Sequence, residues 1–113
     1  MTNSELFNLM EKKAFELAKD EGLALKLIKR RPRAGTVGTC TYDGIISILI
    51  PSSPTMEERV KIQEVGRTIA HELAHLRHQG HGLNFWTYSM LLCMKLSIKL
   101  GIHIMPEKVM VSE

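Results

Sequence analysis

The chain has 113 residues, a length that suits one domain with a modest hydrophobic core. Hydrophobic residues make up 44% of it and charged residues 24%, which excludes a wholly disordered chain. Its 15 basic and 12 acidic residues give a formal net charge of +3, too small to indicate a nucleic-acid partner. The basic run at residues 29–33 fits a solvated strand end and loop better than a nucleic-acid patch.

The first half of the chain predicts one helix followed by a small sheet. Thr2 and Glu5 have the spacing of a capping box, and Gly22 supplies a stop signal. Apolar residues recur at helical intervals between them, so a helix is expected over residues 3–21. Strand-forming residues follow in three runs, at residues 23–30, 36–42 and 45–50. Because Asp43-Gly44 is a hairpin signal between the last two runs, we expect a sheet of about three strands.

The second half predicts two long helices. Thr55 and Glu58 have the spacing of a second capping box, which begins a helix that runs to residue 78 or 79. Glycines break this helix, and a last helix runs from residue 83 or 84 to residue 99 or 100. The spacing of its apolar residues predicts four core side chains: Phe85, Leu91, Leu92 and Leu96. Lysines and a glycine interrupt the apolar stretch 85–104, which therefore predicts a buried helix and no membrane span.

These elements predict a single α+β domain over residues 1–113, with a backing helix, a small sheet, a motif-bearing helix and a C-terminal helix. The tail at residues 102–113 is too apolar to float in water, so it either packs on the domain or lies in a cleft and covers it. Cys40 and Cys93 form no CxxC pair, and no apolar leader begins the chain. We therefore expect a reduced, cytoplasmic setting.

The segment His71-Glu72-Leu73-Ala74-His75 carries the strongest chemical signal. Four residues advance a helix by about 6 Å and about 400 degrees, so His71 and His75 leave the same face. Two imidazoles placed in this way suit two ligands of one tetrahedral zinc ion. Glu72 lies beside them and can take a proton from a water that zinc has activated. The apolar residues around the motif predict a buried helix, where a His-Glu-His cluster needs partners or a metal.

A catalytic zinc site needs a third protein ligand and an open position. His81 is the first candidate, because the Gly80-His81-Gly82 turn can reverse the chain just after the helix. His78 lies a full turn beyond His75 on the same helix and is better placed as a rim or supporting residue. The remaining alternatives lie in or near the tail: His103, Glu107 and Glu113.

The sequence of residues 71–86, HELAHLRHQGHGLNFW, resembles the motif HELxHLxxxxHGxxFW of the small YgjP-like and WLM-type metallopeptidases. A longer-spaced version occurs in SprT-like proteins. Residues 33–40 and 45–50 resemble the hairpin that precedes the motif helix in this group. Chain length and soluble character are similar to those of the archaeal minigluzincins, which are soluble relatives of the catalytic domain of CAAX-type membrane proteases.

This resemblance implies a zincin-like fold, with His71, His75 and His81 as zinc ligands and Glu72 as the general base and acid. It also implies that the upper strand of the sheet binds an extended substrate through its main chain. Gluzincins use a glutamate as the third ligand, and the last predicted helix contains no glutamate, which favours His81. The hairpin has Val37-Gly38 where the family typically has Trp-Gly.

The expected activity is hydrolysis of a peptide bond in a peptide or protein substrate, in an enzyme that the tail can hold latent. One alternative is a zinc-binding scaffold or regulator without turnover. Another is a DNA-associated protease like the SprT-like proteins, which only the basic run at 29–33 supports. Tyr88 is either a donor to the tetrahedral oxyanion or, as we favour, a half-buried core residue. Neither substrate nor oligomeric state follows from the sequence.

Overall fold

The computed structural model describes residues 1–31, 38–41 and 43–107. Its elements are, in chain order, α1 (Asn3–Glu21), β1 (Leu27–Arg31), β2 (Gly38–Cys40), β3 (Ile45–Leu49), α2 (Glu58–His75) and α3 (Leu83–Leu100). The predicted α+β class with a small three-stranded sheet is therefore confirmed.

Helix α1 begins and ends where its local signals predict. The Thr2 hydroxyl accepts a hydrogen bond from the Glu5 backbone N–H at 3.0 Å, and the Glu5 carboxylate accepts one from the Thr2 backbone N–H at 2.8 Å. Gly22 ends the helix in the left-handed conformation, with a φ of 67°. The helix packs against α2 and α3 through a stripe of buried side chains: Leu6, Met10, Ala14, Leu17 and Ala18.

Strand β3 lies in the middle of the sheet, parallel to β1 and antiparallel to β2. The turn between β2 and β3 contains Gly44, whose φ of 96° suits glycine. β1 begins at Leu27, four residues later than predicted, because Leu23 and Leu25 instead pack half-buried against the core in an irregular connection. Of the predicted strand 36–42, residues 36, 37 and 42 lie outside the described residues.

Helix α2 is shorter at both ends than the sequence predicts. The predicted cap at Thr55 is wrong: the helix begins at Glu58, after an N-cap residue whose side chain makes no capping bond. The Thr55 hydroxyl is instead hydrogen-bonded to Ser53 at 3.1 Å in the preceding turn. At its other end the helix stops at His75, where the backbone tightens. The N–H groups of Leu76 and Arg77 each bond to a carbonyl three residues back, Leu73 at 3.0 Å and Ala74 at 3.1 Å.

Helix α3 has the predicted bounds and ends at Gly101, whose φ is 67°. It packs on α1 and α2. Phe85, Leu92 and Leu96 are buried as predicted, but Leu91 is 40% exposed and lies on the outer face. None of the described helices is both long enough and apolar enough to cross a membrane.

Helix α2 contacts the sheet, α1 and α3, so its middle is the centre of the molecule. The side chains that it buries there include Val65, Ile69 and Leu73, which belong to the same core as Ile46 and Ile48 of β3. Because this helix is held on several sides, the direction of the side chains at its C-terminal end is determined by the core.

Candidate metal centre

The last turns of α2 place His71, Glu72 and His75 at the edge of the core. His71 and His75 lie one turn apart on the same face, with ring centroids 4.9 Å apart. Their Nε2 atoms are 3.2 Å apart. The helical spacing thus brings the two imidazoles together in the way that the sequence predicts.

The segment 76–82 reverses the chain and returns His81 to this face. The Nε2 atom of His81 lies 3.1 Å from that of His75 and 3.3 Å from that of His71. Gly80 and Gly82 flank it, but neither has a positive φ, so the reversal uses backbone conformations open to other residues. The three Nε2 atoms form a nearly equilateral triangle.

The outer nitrogens of the two helical histidines face hydrogen-bond acceptors. Nδ1 of His75 donates to the backbone carbonyl of His78 at 3.1 Å. Nδ1 of His71 lies 3.0 Å from Oε1 of Glu107, although its N–H bond is not aimed well enough at the oxygen for an aligned hydrogen bond. Nδ1 of His71 therefore carries the ring proton, because an unprotonated nitrogen would direct its lone pair at the lone pairs of the carboxylate oxygen. His71 and His75 therefore both direct Nε2 to the centre of the triangle.

This arrangement fits a metal ion. Three nitrogens bound at 2.0–2.1 Å in a tetrahedral arrangement are about 3.3 Å apart, which the 3.1–3.3 Å sides of the triangle match closely. Lone pairs that converge on one point repel each other unless a cation or a proton lies between them. His71, His75 and His81 can thus hold a metal ion with three neutral imidazoles.

Two aromatic side chains from the first turn of α3 support the histidine rings. Phe85 stacks on His75, with centroids 4.3 Å apart and planes inclined by 24°. Trp86 lies against His81 at 5.8 Å with planes inclined by 28°. Both aromatic residues are buried. The start of α3 therefore limits the rotation of two of the three rings.

Glu72 lies beside the triangle and is only 6% exposed. The pKa of its carboxyl is raised to about 7, because burial and, to a smaller extent, the nearby Glu107 carboxylate outweigh the opposing effect of His71. A carboxyl group with this pKa can both accept and release a proton near neutral pH. A cation at the three histidines would favour its ionised form.

An open cleft of about 520 Å³ gives access to Glu72 and the three histidines. Its other wall is strand β2, with Gln79 at the rim. Gly38 of this strand lies so close to Glu72 that a Cβ atom there would be 2.9 Å from its Oε2. The cleft therefore joins an edge strand, a buried carboxyl group and a candidate metal centre.

The other candidates from the sequence lie elsewhere. His78 supports the site through its backbone carbonyl, and its ring packs against Tyr88. The Tyr88 hydroxyl donates to Glu21 at 2.8 Å and is not part of the cleft wall, so the core interpretation of this residue fits better than the oxyanion one. His103 lies 3.0 Å from the sulfur of Met105. Glu113 lies outside the described residues.

Sequence reasoning missed the role of Glu107 at this site. The sequence offered Glu107 only as an alternative ligand, but its carboxylate faces the outer nitrogen of His71 and not the centre of the triangle. Contact with His71 holds the pKa of Glu107 below its usual range. Burial acts to lower the pKa of His71, but the contact with Glu107, together with the smaller effect of Glu72, raises that pKa overall. No local signal in the tail sequence predicts this contact.

The chain matches no model of a protein family and no curated protein. Among solved structures, the fold is similar to the crystal structure of the metallopeptidase zymogen of Pyrococcus abyssi abylysin. The two chains share 18% sequence identity with a TM-score of 0.50, over 85% of this chain and 99% of that one. The chain therefore has a metallopeptidase-like fold.

Proposed function

We propose that the protein is a zinc-dependent peptidase, with His71, His75 and His81 as the zinc ligands. The observation that carries this proposal is the triangle of three Nε2 atoms at 3.1–3.3 Å beside a buried glutamate in an open cleft. Neutral imidazoles at tetrahedral spacing favour zinc over oxygen-seeking ions such as calcium and magnesium. Three protein ligands leave one coordination position for chemistry, as in catalytic zinc sites.

When bound, zinc supplies a Lewis acid that lowers the pKa of water and polarises a peptide carbonyl. Glu72 then does the proton transfer in this proposal. A carboxylate oxygen of Glu72 accepts a proton from the attacking water and afterwards gives it to the leaving amine. The position of Glu72, buried beside the three histidines and in the wall of the open cleft, supports this role.

We propose a peptide or protein as the partner of the cleft. β2 is an edge strand of the sheet and also a wall of the cleft, so an extended substrate can pair with its main chain. Lys29 and Arg30, from the basic run, lie on β1 at the opposite edge of the sheet. This separation supports a peptide over a nucleic acid in the cleft. DNA binding that survives moderate salt would instead favour the DNA-associated alternative.

The prediction of a latent form depends on what covers the cleft. No residue of the described part of the tail, 102–107, lines the cleft, and Glu107 lies behind the His71 ring. Residues 108–113 lie outside the described part of the chain. Latency therefore stays a prediction, which is tested by comparing the cleavage of an unfolded protein substrate by the intact chain and by a chain that ends at residue 107.

Metal analysis and a cleavage assay with three variants test the proposed function. We expect about one zinc ion per chain in the wild type and a large loss of zinc in His81→Ala, which removes a ligand. His78→Ala is the matched control, because it keeps the backbone carbonyl that His75 needs. Full zinc occupancy in His81→Ala would overturn the ligand assignment.

Glu72→Gln separates a peptidase from a zinc-binding scaffold. It should keep zinc but lose about 10²- to 10⁴-fold in the cleavage of an unfolded protein such as casein, because the amide cannot accept the proton. Equal cleavage by wild type and Glu72→Gln would contradict the peptidase mechanism and leave the scaffold or regulator.

A further inference from the structure

We propose that the C-terminal tail is a working part of the metal centre, in which Glu107 is a positioning residue for His71. The tail carries the Glu107 carboxylate to the outer nitrogen of His71, at the side of the ring away from the candidate metal position. This inference rests on the proposed function, because it assumes that the three histidines bind zinc.

Ile104, which precedes Glu107 in the tail, packs against α2 and forms a hydrogen bond to α3. The Ile104 side chain is 1% exposed and fills the space above Gly66 of α2, where a Cβ atom would lie 2.8 Å from its Cδ1. Its backbone N–H donates to the Ser97 hydroxyl of α3 at 2.8 Å, and this hydroxyl in turn donates to the Cys93 carbonyl at 2.7 Å. Ile104 is therefore a fixed point three residues before Glu107 that determines where the carboxylate lies.

The contact that Glu107 makes is the kind that orients a metal-binding histidine. A carboxylate at the outer nitrogen selects the tautomer whose other nitrogen binds metal, limits rotation of the ring and raises its basicity. His75 obtains a similar contact from the His78 carbonyl, in the chain segment that directly follows it. Among the described residues, the contact at the outer nitrogen of His71 comes from the tail, so loss of the tail should affect His71 first.

Charge balance supports the same role. A zinc ion held by three neutral imidazoles carries two positive charges in a partly buried site. Glu72 and Glu107 place two carboxylates next to His71, one in the cleft and one behind the ring. The Glu107 side chain is 34% exposed, so solvent screens part of its effect, but its distance of 3.0 Å to Nδ1 keeps the two groups in contact.

The test measures zinc affinity by competition with a chromophoric chelator, which needs no substrate. Glu107→Ala should bind zinc about 10- to 100-fold more weakly than the wild type, a range typical of lost supporting contacts at metal-binding histidines. Glu107→Gln keeps an oxygen acceptor and should recover part of this loss. Met105→Ala is the matched control, since Met105 is in the same tail and is 53% exposed. Urea unfolding of the zinc-free proteins shows whether the variants remain folded.

A double-mutant cycle tests whether the tail acts through Glu107. Ile104→Ala should weaken zinc binding although it touches no ligand, and adding Glu107→Ala to it should cost less than Glu107→Ala alone. Wild-type zinc affinity in Glu107→Ala would overturn the inference while leaving the proposed function intact. A wild type that binds no zinc would overturn the proposed function itself. An equal loss in Glu107→Ala and Met105→Ala would also overturn the inference, because it would show a general effect of the tail.

Discussion

At the scale of single residues, Gly38 determines how closely the edge strand approaches the reacting groups. A Cβ atom at this position would lie 2.6 Å from Cγ2 of Thr68 and 2.9 Å from Oε2 of Glu72. Thr68 and Glu72 are both buried and belong to α2, which packs against the sheet and both other helices, so neither can move aside easily. Any side chain at position 38 must therefore displace β2 or the Glu72 carboxylate.

We expect Gly38→Ala to lower kcat/KM for peptide cleavage by about 10- to 100-fold, because a shift of about 1 Å in Glu72 is enough for such a loss. Zinc binding should persist, since the three histidines are not touched. Steady-state kinetics and metal analysis check both expectations. Gly80→Ala is the control, because nothing lies within 4 Å of a Cβ there and its φ is not positive. Unchanged kinetics in Gly38→Ala would contradict this expectation, because they would show that β2 can shift without disturbing Glu72.

At the scale of elements, Glu21 ties the end of α1 to α3 and to the segment after α2. Its carboxylate accepts hydrogen bonds from the Tyr88 hydroxyl and from the Lys95 ammonium group. The Arg77 side chain donates to the Glu21 backbone carbonyl and also lies over the Tyr88 ring at 4.4 Å. Arg77 belongs to the segment that carries His81, so this cluster helps to fix the third candidate ligand.

The cluster predicts a pH-dependent contribution to stability. The hydrogen bond from Lys95 holds the pKa of Glu21 below its ordinary value of 4.5, against the opposing effect of burial. Because the folded pKa is lowered, Glu21 stabilises the fold above pH 4.5, and this contribution is lost as the pH falls through the folded value.

Glu21→Gln should therefore lower the free energy of unfolding by about 1–3 kcal/mol near neutral pH. The difference from the wild type should shrink as the pH falls below 4.5. Urea unfolding at several pH values measures both quantities. Asp20→Asn is the control: its side chain is 59% exposed and its pair with Lys99 should contribute less. A difference that grows in acid would contradict the sign of the predicted effect.

At the scale of the whole molecule, the candidate metal centre joins the end of α2 to the start of α3. His81 comes from the connection between these helices, and Phe85 and Trp86 of α3 pack on the histidine rings. A metal ion that binds only this folded arrangement stabilises the whole domain by mass action.

Removal of zinc should consequently destabilise the chain. At a free zinc concentration 100 times the dissociation constant, the stabilisation is about 2.7 kcal/mol, and a chelator should abolish it. Thermal or urea unfolding with and without chelator measures the difference. The effect should vanish in His81→Ala and persist in His78→Ala. An equal chelator effect in both variants would place the metal elsewhere.

The sequence alone predicted the features whose causes are local. The bounds of α1 follow from a capping box and a C-terminal glycine, and the bounds of α3 follow from its glycine stop and apolar spacing. The meeting of His71 and His75 follows from the period of a helix, which needs no tertiary contact. The α+β class and the three-stranded sheet were likewise predictable from apolar patterns and one hairpin signal.

Only the tertiary structure decided the features that depend on distant residues. α2 starts at Glu58 and not at Thr55, whose hydroxyl bonds Ser53 instead, and Leu91 lies on the exposed face of α3. The distances from His81 to the helical histidines depend on a reversal held by α3 and by the Glu21 cluster. The contact between Glu107 and His71 joins residues far apart in the chain, through an isoleucine seated on a glycine of another element. Local patterns cannot predict such contacts, because the free energy that forms them comes from packing between elements.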